Sequence, residues 1–278
     1  PTLEEAKELL EAATSLLELG VDAARKLSES GKRIDDHQVT TERIAYAATE
    51  AIAAHEVIAS IEEIRAEGRS NSQLELMATG AVGLLVAGLR GRLFESADDL
   101  GLGDASVEAC FPAQLRNLLR RATSESLCRE VGEHVIATRG VNDHPLDEMH
   151  EQVREQVREF GANEVMPRAE SIHRNDELVP EEFISMMAEL GFFGLSIPEE
   201  YGGVEMGNLA MILTTEELSR ASLAAAGSLI TRPEILAKAL LGGGSEEQKR
   251  EWLPKLACGE LMVGISVTEP GIGSDVAG

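Results

Sequence analysis

Apolar residues at Leu3, Ala6, Leu9, Leu10, Ala13, Leu16 and Leu17 recur at spacings of three and four, which places them on one face of a helix. Gly20 or Gly31 marks the end region of that helix. A second stripe, Ile44, Ala47, Ala48, Ala51, His55 and Ile58, predicts a helix after Thr41. A third helix is predicted over about Gln73 to Leu93. A fourth follows Leu118, Ala122, Leu127, Val131 and Val135 up to the Arg139-Gly140 break. Four such helices predict an antiparallel bundle.

Turn-forming residues then cluster in GVNDHP, 140 to 145, and a domain boundary is placed there. Leu146, Met149, Val153, Val157 and Phe160 open a new amphipathic helix. Pro180 to Leu190 forms another, with Pro at its start and Gly191 just past its end. LSIPEEYGG, 195 to 203, ends in a Gly202-Gly203 turn, and a long helix is predicted from Leu209 to Leu229. Ser245 and Gln248 have capping-box spacing, so a helix starts at Ser245. LMVGISV, 261 to 267, is short, apolar and flanked by Gly-Glu and Glu-Pro-Gly, the pattern of a buried strand. Nothing earlier reads as its partner, so the natural protein is expected to continue past Gly278 into a β-domain.

Composition narrows the class. The 278 residues are 3% aromatic, which favours helices packed through small and aliphatic side chains. A formal charge of −24, from 49 acidic and 25 basic residues, argues against nucleic acid and anionic membranes as partners. An anionic small ligand would need a local cluster of cations and helix N-termini. Cys110, Cys128 and Cys258 lack CxxC spacing and are odd in number, which fits a reducing cytoplasm; no secretory leader pattern opens the chain. The longest apolar run, Met77 to Leu89, falls short of the ~20 residues of a membrane span and reads as a buried helix whose Gly80, Gly83 and Gly88 admit a close neighbour. His134, His144, His150 and His173 lack paired metal-ligand spacing, and Gly242 to Gly244 lacks the Lys-Ser/Thr of a phosphate loop, so no metal site is predicted.

The segment with chemical content is TEPGIGSD, 268 to 275. Gly271 and Gly273 allow positive φ and remove side chains, so backbone amides and the hydroxyls of Thr268 and Ser274 can approach a flat, polar-edged cofactor. Alone, this pattern reads more readily as an ordinary Gly-Pro loop. In context, SEEQKREWLPKLACGELMVGISVTEPGIGSDVAG, together with LGFFGLSIPEEYGG and TEELSRAS (215 to 222), resembles the acyl-CoA dehydrogenase family from about Leu146 onward, half of the chain. The resemblance implies a mainly α fold: a helical extension over 1–143, the family's N-terminal helical domain over 144–260, and over 261–278 the first strand of its middle β-domain.

It also implies an FAD-dependent oxidoreductase in which Ile265, Ser266, Val267, Thr268, Gly273 and Ser274 line FAD, with Ser274 also near the acyl-CoA chain. A glutamate base is expected in the family's C-terminal half, so no catalytic residue is assigned here. Electrons would pass to an electron-transferring flavoprotein. Family members place acyl-pocket residues near SLITRPEILAKALLGGGS, 228 to 245, where Arg232 would suit a substrate ending in a carboxylate; it could equally be a surface residue paired with Glu234. Glutaryl-CoA or a branched acyl-CoA are alternative substrates, and a non-catalytic helical interaction protein is the alternative from another class. TTERIAYAATEAIAAHE, 40 to 56, resembles helices of the family's C-terminal domain, which predicts a homodimer in place of a tetramer.

Overall fold

The computed structural model describes residues 1–141 and 144–273, apart from the side chains of Asp104 and Arg232. It divides into two compact units, Pro1–Pro145 and Leu146–Gly278. No strand forms among the described residues.

The first unit is built on α1 (Leu3–Leu27), α2 (Gln38–Ala66) and α3 (Ser72–Glu95), followed by the shorter α4 (Asp104–Cys110), α5 (Ala113–Ala122) and α6 (Glu125–Thr138). Thr2 and Glu5 close α1 with a capping box, Thr2 Oγ1 accepting from Glu5 N at 3.2 Å and Thr2 N donating to Glu5 Oε2 at 2.9 Å. α1 runs through Gly20, because a Cβ there would lie 2.6 Å from Leu93 Cδ2; the glycine serves close packing and the helix ends at Leu27. On α2 the buried line is Ile44, Ala47, Ala51, Ala54, Ile58 and Ile61, whereas His55 is exposed. The step from Ala51 is three residues, and the i+4 choice that brings in His55 is corrected accordingly.

The glycines of α3 act as expected of close-approach positions. A Cβ on Gly83 would be 2.7 Å from Ala122 Cβ, one on Gly80 2.7 Å from Leu127 Cδ2, and one on Gly88 2.7 Å from Glu50 Oε1. α3 therefore packs directly on α2, α5 and the start of α6, with Val82, Val86, Leu89 and Leu93 fully buried. With its 24 residues it is, like Ile34–Ala66, long and apolar enough to cross a membrane by length and composition, so the shortfall expected for Met77 to Leu89 does not extend to the whole helix. The fourth predicted helix is two helices. Ser124 breaks it and caps α6, its Oγ accepting from Leu127 N at 3.3 Å. α6 ends at the foreseen place, with Arg139 (φ 54°) and Gly140 (φ 75°) in left-handed conformation.

The second unit holds α7 (Glu148–Phe160), α8 (Met166–Arg174), α9 (Glu181–Glu189), α10 (Gly207–Ser222), α11 (Ser228–Gly243) and α12 (Glu246–Ala257). α7 passes into α8 through a π-helical turn, Gly161–Val165, whose Gly161 abuts α10: a Cβ there would meet Ala221 Cβ at 3.0 Å. Beside it, Arg158 Nε donates to Glu217 Oε2 at 3.1 Å; Glu217 is only 6% exposed, so this bidentate pair ties α7 to α10. His150 is a capping histidine, its ring Nδ1 and backbone N both 2.8 Å from Asp147 Oδ1.

The single helix expected over Leu209 to Leu229 is interrupted. Ser222 is extended (φ −168°, ψ 116°), its Oγ accepts from Ala225 N at 3.1 Å, and the chain restarts in a π-helical turn, Leu223–Gly227, that leads into α11. A Cβ on Gly227 would lie 2.2 Å from Ser219 Oγ, so the elbow closes onto α10. Gly242 and Gly243 finish α11, leaving only Gly244 as its cap.

The capping box at Ser245 forms as the spacing requires: Ser245 Oγ accepts from Gln248 N at 3.3 Å and Gln248 Oε1 accepts from Ser245 N at 2.9 Å. Ser245→Ala is expected to cost about 1 kcal/mol, read as a lower urea midpoint at unchanged slope. A loss below ~0.3 kcal/mol would show that the rest of α12 holds its own first turn.

Candidate cofactor and acyl site

Leu253 and Leu256 of α12 are fully buried and, with Ile197, Tyr201 and Ala237, make a small core. The chain leaves this core at Cys258 and Gly259 (φ 70°), and Leu261 N donates to Lys255 O at 3.0 Å. Leu261 and Val263 pack back on the core, while Met262 is 37%, Ile265 45% and Val267 57% exposed. The expected strand is thus anchored at one end and unpaired along its length; a lone strand has no ladder partner to order it.

Beyond Val267 the chain closes a tight turn. Ile272 N donates to Glu269 O at 3.2 Å and Glu269 N donates to Ile272 O at 2.9 Å, with Pro270-Gly271 at the apex, where proline presets φ. Gly271 and Gly273 do not take positive φ, which corrects one part of the expectation; their contribution is space, since a Cβ on either would meet nothing within 4 Å. Of the residues expected to line the cofactor, Ile265, Ser266, Val267, Thr268 and Gly273 lie on this one exposed segment, and Ser274 lies outside the described residues. An open glycine flank beside the free hydroxyls of Ser266 and Thr268 fits the edge of a flat, polar-rimmed group such as a flavin.

An apolar groove of about 330 Å³ adjoins the segment, lined by Leu236 and Leu240 of α11, Trp252 of α12 and Leu261 to Gly264. Sequence reading missed it because its walls come from three separate stretches. The available signal was Leu236 and Leu240, one turn apart on a helix, with Trp252 downstream. Arg232 belongs to α11 and stands one further turn along the same row; its side chain is outside the described residues. Glu234, the alternative partner offered by sequence, is buried at 6% exposure, hydrogen-bonded by Ser196 Oγ and ion-paired with Lys238 Nζ at 3.0 Å.

Residues 147–260 match the family described as acyl-CoA dehydrogenase, N-terminal domain. Across 283 aligned residues, 99% of this chain is 35% identical to (2S)-methylsuccinyl-CoA dehydrogenase of Cereibacter sphaeroides, of which it covers 50%. These matches identify residues 147–260 as an acyl-CoA dehydrogenase N-terminal domain. Other relatives include glutaryl-CoA dehydrogenase of Desulfococcus multivorans, 38% identical over 48% of this chain and 35% of the relative. A 3-(aryl)acrylate reductase of Clostridium sporogenes is 38% identical over 46% of this chain and 34% of the relative. The chain therefore spans half the length of these relatives or less. Within the acyl-CoA dehydrogenase frame, the second unit is the helical N-terminal domain, and the exposed segment after α12 follows the last family-matched residue, 260.

Proposed function

We propose that the protein is an FAD-dependent dehydrogenase that introduces an α,β double bond into an acyl-CoA thioester. The substrate we assign is (2S)-methylsuccinyl-CoA, giving mesaconyl-CoA, with an electron-transferring flavoprotein as acceptor. The observation that carries this reading is the extent of the match. The relative bearing that name aligns with both units of this chain, whereas the glutaryl-CoA and arylacrylate enzymes align with about half of it. A cation at Arg232, beyond an apolar row, supports a substrate whose acyl end carries a carboxylate.

When bound, the flavin supplies hydride acceptance at its N5 position. The residues of this chain would hold its edge: Thr268 offers an amide and a hydroxyl to the side of the ring that gains charge, and Gly271 and Gly273 let the backbone come close. Thr268→Val is expected to slow reduction of the flavin by substrate about tenfold, seen as slower loss of visible absorbance in an anaerobic stopped-flow trace. An unchanged rate would remove Thr268 from the site.

The full-length protein should be yellow and should bleach on mixing with (2S)-methylsuccinyl-CoA faster than with glutaryl-CoA or isovaleryl-CoA. A colourless protein would instead support a helical interaction role. The extension leads us to propose a homodimer, with α2 among the helices that occupy a surface relatives use for further association. Light scattering on the intact protein would show a dimer mass; a tetramer would overturn this assignment.

A further inference from the structure

The first unit carries a feature that the proposed dehydrogenase chemistry does not use. In a chain with 49 acidic residues, the stretch 109–124 contains none, yet it holds Arg116, Arg120 and Arg121. α5, at its centre, opens onto a groove of about 760 Å³ whose floor is Leu76 and Leu127 and whose wall is Asn117, Arg120, Arg121, Ser124 and Ser126. The groove is open and its lining residues are mostly polar, a composition that suits a charged ligand.

The donors share one side. Ser124 Oγ and Ser126 Oγ are 3.1 Å apart, and the Arg120 guanidinium is held to the Asn117 side-chain oxygen in place of a carboxylate. Arg121 Nη2 is 2.8 Å from Glu5 Oε1, a half-exposed pair that a more highly charged anion can displace. Glu130 is the one carboxylate among the lining residues described. Forked guanidiniums with neighbouring hydroxyls match the oxygens of a phosphate, and the Leu76–Leu127 floor matches an uncharged ring next to it.

We propose that this groove binds a phosphate ester with an apolar body, of the size of a nucleoside diphosphate. The groove is lined by residues of the first unit, whereas the flavin segment belongs to the second.

The test is hydrogen exchange on the full-length holoenzyme, read at peptides covering 115–130, with ADP, inorganic pyrophosphate or adenosine as probes. ADP is expected to slow exchange in these peptides, pyrophosphate to do so more weakly, and adenosine to leave them unchanged. Protection by ADP should fade as salt rises from 0.05 to about 0.5 M. Arg120→Gln with Ser126→Ala, both exposed positions that leave the core intact, should weaken ADP about tenfold or more. The proposal is overturned if millimolar ADP leaves 115–130 unprotected, if the double variant responds like the parent, or if adenosine protects as well as ADP.

Discussion

Arg232→Leu should depress turnover of a carboxylate-ended acyl-CoA far more than that of a neutral acyl-CoA of equal length. If the ion pair is desolvated in the complex, the difference is about 2 to 5 kcal/mol, or roughly thirty-fold to several thousand-fold in the ratio of kcat/KM values. The basis is chemical. A guanidinium cannot shed its charge, so an apolar pocket that contains one disfavours a substrate unable to neutralise it. Glu234, two residues on, is buried and engaged by Ser196 and Lys238. Equal losses on both substrates would show that Arg232 supports the helix alone.

The largest stability effect is expected at Gly203. A Cβ there would sit 1.9 Å from Ile197 O and 2.6 Å from Ile197 Cβ. The surrounding backbone cannot retreat, because Gly203 N donates to Pro198 O, Val204 N to Gly194 O and Met206 N to Leu195 O. Gly203→Ala should therefore cost about 3 kcal/mol or more, the range of overpacked cores. Gly242→Ala is the control, since a Cβ there meets nothing within 4 Å and its helical position favours alanine by about 0.5 to 1 kcal/mol. Urea unfolding of the two variants decides the matter; a Gly203→Ala midpoint equal to the parent's would mean that the 194–206 loop shifts freely.

Much of the helical fold is legible in the chain because apolar periodicity and caps are local signals. The Ser245 box and the three close-approach glycines of α3 are read directly from spacing. Where reading slipped, the cause was a helix phase or a tertiary contact. In the stripe Leu118, Ala122, Leu127, the step of five between Ala122 and Leu127 was itself the trace of the break at Ser124. The elbow at Ser222 left less trace: Leu-Ala-Ala-Ala favours helix, and the fit of Gly227 against Ser219, invisible in sequence, overrides that preference. The candidate site was readable as a motif after α12. The apolar groove beside it was not, since it exists only once α11, α12 and 261–264 are brought together.

The elbow also separates two jobs. An extended residue at Ser222 resets helical phase, so a substitution or one-residue insertion in α11 need not rotate α10 or disturb the pair of Arg158 with buried Glu217. The row through 232, 236 and 240 can then vary from one family member to another while the helices that carry stability stay fixed. Changes of substrate in such a scaffold cost little foldedness, which makes α11 the segment in which to look for diversity of acyl groups.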